Sequence, residues 1–193
     1  MPASLTDAAR DWAPLSDLEA GVLEDAFARR EIMQGEAVAL PGSDDHQVLF
    51  VEDGLLRFYY PTDDGRESNK AFVAQGEFAG ALAAAGLGVP ILYGIHALED
   101  ATVRTISVDG FRALFDESPA FERLGRRLAE HILMRKERRA RSLLLESAAE
   151  RYVAFLEAEP GLAQRVPQYH IASYLGVTDV HLSRVRRELA NAA

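Results

Sequence analysis

The 193-residue chain contains no cysteine. That excludes a disulfide scaffold, a thiolate-held iron–sulfur cluster, a cysteine nucleophile, a thiolate zinc site and redox sensing through thiols. Histidine is scarce too: His46, His96, His131, His170 and His181, of which only His46 and His96 fall in the strand-rich region. A metal-dependent β-barrel enzyme needs clustered His and Glu on facing strands, so no metal is expected and each histidine reads as a surface or packing residue. No Gly-x-Ser-x-Gly elbow marks a serine nucleophile. No catalytic residue or cofactor is assigned, and an enzyme is not expected. An apolar run fit to cross a membrane is also missing. Residues 78–98 carry no Asp, Glu, Lys or Arg, but Gly80, Gly86, Gly88, Pro90 and Gly94 interrupt them and no basic anchor flanks them. "MPASLTDAARDW" has neither a basic start nor an apolar stretch, so a cytoplasmic location is expected.

Positive charge is sparse in the first part of the chain. Residues 1–122 carry 8 basic against 22 acidic side chains, whereas 123–193 carry 13 against 8, within a formal net charge of -9. An acidic body with a basic C-terminal segment suits a protein that presents only that segment to a polyanion.

The hydrophobic pattern divides the chain into three. Leu15, Leu18, Val22, Leu23, Ala26 and Phe27 form a helical stripe behind an N-cap at Ser16. After Gly35 come short segments, "AVAL", "QVLFVE", "LLRFYYP", "NKAFVAQGEF" and "ATVRTISV", separated by Pro-Gly, Asp-Gly and Asp clusters, which predict an antiparallel sandwich or barrel. Beyond Gly110 the helical period returns, with a break at Ser118-Pro119. The long run that follows carries Phe121, Leu124, Leu128, Ile132 and Leu133, and its basic stretch from Arg135 to Arg141 reads first as a solvated helix face. "AAERYVAFLEAEP" predicts a further helix stopped by Pro160-Gly161.

"IASYLGVTDVHLSRVRREL" closes this region. A helix from Gln168 to Leu175 would bury Ile171, Ala172 and Leu175. Gly176 suits the left-handed turn that ends it, and Thr178 can cap a second helix that buries Val180 or Leu182, Val185 and Leu189. Ser183, Arg184, Arg186 and Arg187 then stay outside. This is the layout of a helix-turn-helix, whose second helix enters the DNA major groove, where arginine's fork grips guanine or a phosphate. An ordinary helical hairpin with a basic face has the same coarse pattern. The candidate DNA-binding residues are Gln168, Thr178, His181, Ser183, Arg184, Arg186 and Arg187.

The chain as a whole resembles the catabolite activator protein family, the CRP/FNR-type regulators. The resemblance rests on "VLFVEDGLLRFYYPTDDGRESNKAFVAQGEFAG", with Gly54, Gly65, Gly76, Phe78 and Gly80 at the family's turn positions, and on "RSLLLESAAERYVAFLEAEPGLAQRVPQYHIASYLGVTDVHLSRVRREL", which resembles the branch without a β-wing. It implies an α+β protein: a cyclic-nucleotide-binding-like jelly roll over 1–118, a dimerisation helix over 119–147 and a DNA-binding helix-turn-helix over 148–193. It also implies a homodimer, double-stranded DNA as a partner, no membrane, and a pocket for a small-molecule effector whose identity is unknown, around Gly76, Glu77, Phe78, Gly80, Ala81 and Leu82.

The cyclic AMP contacts of that family carry over poorly. Its ribose-binding glutamate corresponds to Ala81, and its phosphate-binding arginine and hydroxyl fall where Ile91 and Leu92 stand. Cyclic AMP is therefore not expected to bind in the usual manner, because a buried phosphate without a cation is costly. The uncharged 78–98 segment would suit an apolar or neutral effector, or none, unless Arg57, Arg66 or a partner subunit supplies a cation. In the second helix, Asp179, Val180 and His181 replace the family's basic and acidic pair, while Arg184 keeps a base-reading position. The stripe of Leu124, Leu128 and Ile132 is expected to form the dimer seam. A sensory or scaffold module whose helix-turn-helix serves protein contacts is the alternative.

Overall fold

The computed structural model describes residues 1–192, so the last residue of the expected 148–193 segment lies outside it. Two short helices lead. α1 (Leu5–Trp12) is capped by Ser4, and α2 (Asp17–Ala26) carries the full capping box, Ser16 and Glu19 each binding the other's backbone N–H. The α2 stripe differs from expectation at Leu18, which is 80% exposed. The helix packs instead through Ala20 and Leu23, with Leu15 and Phe27 at its ends.

Eight strands follow: β1 (Ala28–Ile32), β2 (Ala37–Ala39), β3 (Gln47–Asp53), β4 (Leu55–Pro61), β5 (Glu67–Ala74), β6 (Phe78–Gly80), then α3 (Leu82–Leu87), β7 (Gly94–Ala97) and β8 (Ala101–Ser107). They form two antiparallel sheets in the orders β1-β8-β3-β6 and β2-β7-β4-β5, which is the jelly roll. Asp53-Gly54 turns β3 into β4 and Asp64-Gly65 turns β4 into β5, as expected. Gly54 needs to be glycine twice over: its φ is +94°, and a Cβ there would lie 2.6 Å from the Asp100 carbonyl oxygen.

Strand β3 shows why its sequence is nearly continuous in apolar residues. Leu49 and Val51 point into the sandwich, toward Leu56, Phe58 and Ile95, while Val48 and Phe50 point outward to a second core beneath helices. A sheet covered on both faces needs apolar residues on both.

After β8 come α4 (Val108–Glu117) and the 27-residue α5 (Pro119–Leu145), entered through Ser118 as N-cap with Pro119 in its first turn. The first half of α5 completes the outer core: Phe121, Leu124 and Leu128 are each 1% exposed among Leu5, Leu23, Phe50 and Phe111. This corrects the expected seam. Leu124 and Leu128 pack inside their own chain, Ile132 is half-buried against the same cluster, and the exposed apolar side chains of α5 are Leu133, Met134, Leu143, Leu144 and Leu145.

Four helices finish the chain: α6 (Ala148–Ala158), α7 (Leu162–Arg165), α8 (Gln168–Leu175) and α9 (Asp179–Ala192). Their core is shared with the second sheet, since Leu55 of β4 and Phe72 of β5 pack with Phe155, Leu162, Ile171 and Leu175. Among the described residues, no helix is long and apolar enough to cross a membrane.

Candidate functional site

The last two helices match the expected boundaries closely. α8 buries Ile171, Ala172 and Leu175, and its chain reverses at Gly176, φ +70°, whose N–H satisfies the helix's final carbonyls. Thr178 Oγ1 then accepts from His181 N at 3.2 Å. On α9, Leu182 (1% exposed) and Val185 (4%) face inward and Leu189 is half-buried, whereas Val180 is 62% exposed and joins the outer face. Gln168 bridges the two helices: its Nε2 donates to Ser183 Oγ at 3.0 Å and its Oε1 accepts from Arg186. Arg184 and Arg187 are exposed and have no side-chain partner among the described residues, and His181 shares their exposure. One face of α9 thus holds two uncommitted guanidinium groups beside a fixed Arg186.

The outward face of α8 tells a different story, because it is docked on strand β5. Asn69 Nδ2 donates to the His170 carbonyl at 2.8 Å and lies 3.1 Å from His170 Nδ1, which accepts in the neutral ring. Ser173 Oγ accepts from Asn69 N at 2.9 Å and donates to the Glu67 carbonyl at 3.1 Å. Arg57, buried beneath, donates to Asn69 Oδ1 at 3.1 Å and to Glu67 at 2.6 Å. Burial, followed by the positive charge of Arg57, pushes the His170 ring down to about 4, so this latch holds a neutral imidazole. Further along, Arg165 bonds Glu99 at 2.6 Å and the Gly54 carbonyl at 3.1 Å. The helix pair is therefore joined to the sandwich by named polar contacts as well as by the shared core.

Between β5, α3, α5 and α8 lies a cavity of about 660 Å³, within the range of small-molecule sites. Of the expected pocket residues, Phe78, Gly80 and Ala81 line it. Gly76 makes the turn after β5 at φ +85°, Glu77 pairs with Arg135 at 2.9 Å, and Leu82 packs against the outer core, so these three do not. The expectation of an uncharged lining is corrected: Lys70 of β5 and Arg135, Lys136 and Arg139 of α5 all border the cavity. Neither Arg57 nor Arg66 lines the cavity, and Arg66 instead pairs with Asp64 at a hairpin tip.

The basic run of α5 is correspondingly not a uniform solvated face. Arg135 also donates to the Phe72 carbonyl at 3.3 Å, and Arg139 donates to the Asn69 and Tyr174 carbonyls while its guanidinium stacks 3.9 Å from the Tyr174 ring centroid. Only Arg138 and Arg141 of the run's arginines are exposed. Ser173, Tyr174 and Gly176 complete the wall, so the cavity touches the helix pair directly. Sequence reasoning missed these cations because they stand on β5 and α5, outside the 78–98 segment that the family resemblance points to.

The histidines are scattered: His46 bonds the Val89 carbonyl, His96 stacks on Tyr59, and His131 meets Trp12 edge-on. Among the described residues no group of three or more His, Asp and Glu is arranged to hold a metal ion.

Residues 29–118 match the cyclic nucleotide-binding domain family. No curated protein matches the chain in sequence. Among solved structures, FixK2 from Bradyrhizobium japonicum superposes with a TM-score of 0.75 at 22% identity, over 86% of this chain and 85% of that one. A CooA mutant from Carboxydothermus hydrogenoformans gives 0.72 at 21%, over 92% and 82%. The catabolite activator protein of Thermus thermophilus gives 0.60 at 20%, over 96% and 87%. Residues 29–118 are thus similar to cyclic nucleotide-binding domains, and the chain shares the fold of the CRP/FNR-type regulators, with that domain followed by a long helix and a C-terminal helical unit.

Proposed function

We propose that the protein is a homodimeric, non-enzymatic transcriptional regulator that works in the cytoplasm, where α9 enters the major groove of double-stranded DNA. Residues 1–118 act as the effector unit, 119–147 as the dimer helix and 148–193 as the DNA-binding unit. The observation that carries the reading is the helix pair itself. Its inner faces are buried, its turn is closed by Gly176, and its outer face offers Arg184 and Arg187 without intramolecular partners among the described residues. Side chains so placed are available to bases and phosphates.

Dimerisation is supported by the exposed second half of α5. Leu133 and Leu144 lie three turns apart on one stripe, 58% and 82% exposed, with Met134 and Leu145 on the adjacent one. The effector site is the cavity at the joint between β5, α5 and α8. Its occupancy would bear on the docking of the helix pair, because Ser173 and Tyr174 are at once cavity wall and docking contacts. The cation pattern differs from the family's cyclic AMP site, and cyclic AMP is not the expected ligand.

A band-shift assay with genomic fragments, the protein's own upstream region included, tests the function at two salt concentrations. Binding of at least one fragment well above random DNA, with log affinity falling linearly in log salt, supports it. Affinity for every fragment equal to that for random DNA would contradict it and favour a helix pair used for protein contacts.

A further inference from the structure

The chain has 21 basic residues, but only two of them, Lys70 and Lys136, are lysines. Both line the cavity. Lys70 occupies an unusual backbone position. In the β4–β5 ladder Phe58 faces Ala71 and Tyr59 faces Asn69, so Lys70 is the extra residue of a bulge. Bulges re-aim a side chain beside a site at the expense of a ladder bond. Here the amine is held within a box of aromatic rings, 3.4 Å from the Tyr93 centroid and 5.7 Å from those of Phe58 and Tyr60. Among the described residues no carboxylate lines the cavity or pairs with Lys70. Arg135 and Arg139 are already engaged, by Glu77 and by backbone carbonyls. The rest of the lining is mostly small or apolar, including Val73, Ala79, Ala83, Ala84, Ile132 and Leu143.

A cation removed from water without a counter-charge is costly, and an anion arriving in the cavity would remove that cost. Three of the cavity's polar side chains are already taken, Asn69 by His170, Ser173 by the Glu67 carbonyl and the Tyr93 hydroxyl by the Gly80 carbonyl. On the reading of this cavity as the effector site, we infer that its ligand is a hydrophobic organic monoanion, with a carboxylate or equivalent group at Lys70 and an apolar body against α3, β6 and α5.

The test is calorimetry of the full chain with 1-naphthoate and its neutral isostere 1-naphthalenemethanol, repeated on Lys70→Met and Lys70→Arg. Naphthoate is expected to bind one per chain and more tightly than the alcohol. Lys70→Met should weaken naphthoate about 10- to 100-fold, the range for removing a charge-assisted hydrogen bond, while changing the alcohol by less than about twofold, which also certifies an intact cavity. Lys70→Arg should restore part of the affinity.

Naphthoate affinity should also fall as pH rises through about 8. Burial, then the neighbouring charge of Lys136, pushes the Lys70 amine down to that value. Arg135 and Arg139 from α5, with Tyr60 and Tyr93, are the other charged or titratable groups facing it. The same profile in Lys70→Met should be flat. Equal affinities for acid and alcohol, or a naphthoate constant unmoved by Lys70→Met, would overturn the inference while leaving the cavity as an effector site. Displacement of naphthoate by micromolar cyclic AMP would overturn the apolar body. No binding of either probe would overturn both the inference and the site.

Discussion

The two halves of α5 share one helix and both carry large apolar side chains, yet they behave in opposite ways. From Phe121 to Leu128 the apolar stripe disappears into the chain's own core, whereas from Leu133 to Leu145 the apolar side chains stand in the open and the inward positions are basic. The difference comes from what lies opposite. α1, α2 and α4 present apolar faces to the first half, while the second half meets β5 and α8 across a cavity. An apolar stripe therefore marks that a helix has a partner, without saying whether that partner is its own sandwich or a second chain.

Charges placed on the apolar stripe of each half break the comparison most sharply. Leu128→Glu would place a charge in a fully buried site, a penalty comparable to much of a total stability of roughly 5–15 kcal/mol. Thermal unfolding followed by circular dichroism should show loss of the cooperative transition at ordinary temperature. An unperturbed transition would mean that Leu128 is not core.

The paired change Leu133→Glu with Leu144→Glu should do the reverse. Exposed substitutions alter folding by only about 0.5 kcal/mol each, but charges brought together across a symmetric seam should leave a folded monomer. Light scattering at micromolar protein decides this, and an unchanged dimer would place the seam elsewhere.

Smaller effects come where the second half of α5 meets α8. Gly176→Ala would force a left-handed residue to carry a Cβ 3.1 Å from Leu143, costing about 1–2 kcal/mol, readable as a lower melting temperature with the cavity face still formed. A pH dependence comes from the docking of α8 on β5. His170 is held neutral with a value near 4 against 6.5 when free. The undocked ring takes up a proton below about 6.5, so docking of α8 is at full strength above that pH and is lost progressively as pH falls toward 4. Amide exchange in α8 should accelerate over that window in the native chain and less in His170→Gln. Equal acceleration in both would remove His170 from the latch.

Much of this fold is legible locally. The Ser16 and Ser118 caps, the Asp-Gly turns and the α8–Gly176–α9 boundaries are each written in a few adjacent residues, so the sequence signals them directly. The elements that escape are those defined by distant partners. β1 reads "ARREI", a charged edge strand with exposed Arg29, Arg30 and Glu31 that is a strand only because it pairs with β8. α3, α7 and β7 are likewise short and carry weak patterns. The cavity is half legible: Phe78, Gly80 and Ala81 stand in the 78–98 segment, but its charge comes from a bulge in β5 and from α5, and no spacing links Lys70 to residues 135–139. The burial of Leu128 is of the same kind, since the helical period shows a stripe but not its neighbour.

The central claim is that α9 reads DNA through the arginines left free on its outer face. The most direct measurement is fluorescence anisotropy with the fragment that binds best, comparing the native chain with Arg184→Ala and Arg187→Ala at several salt concentrations. Arg184→Ala should cost about 1–3 kcal/mol at the preferred site and relax base preference at one position in each half-site, with half-sites ~34–36 Å apart in the dimer. Arg187→Ala should weaken all sequences alike and flatten the salt slope by about one unit for each phosphate it no longer neutralises. Affinity and salt slope unchanged in both variants would contradict the account and leave α8 and α9 a structural hairpin.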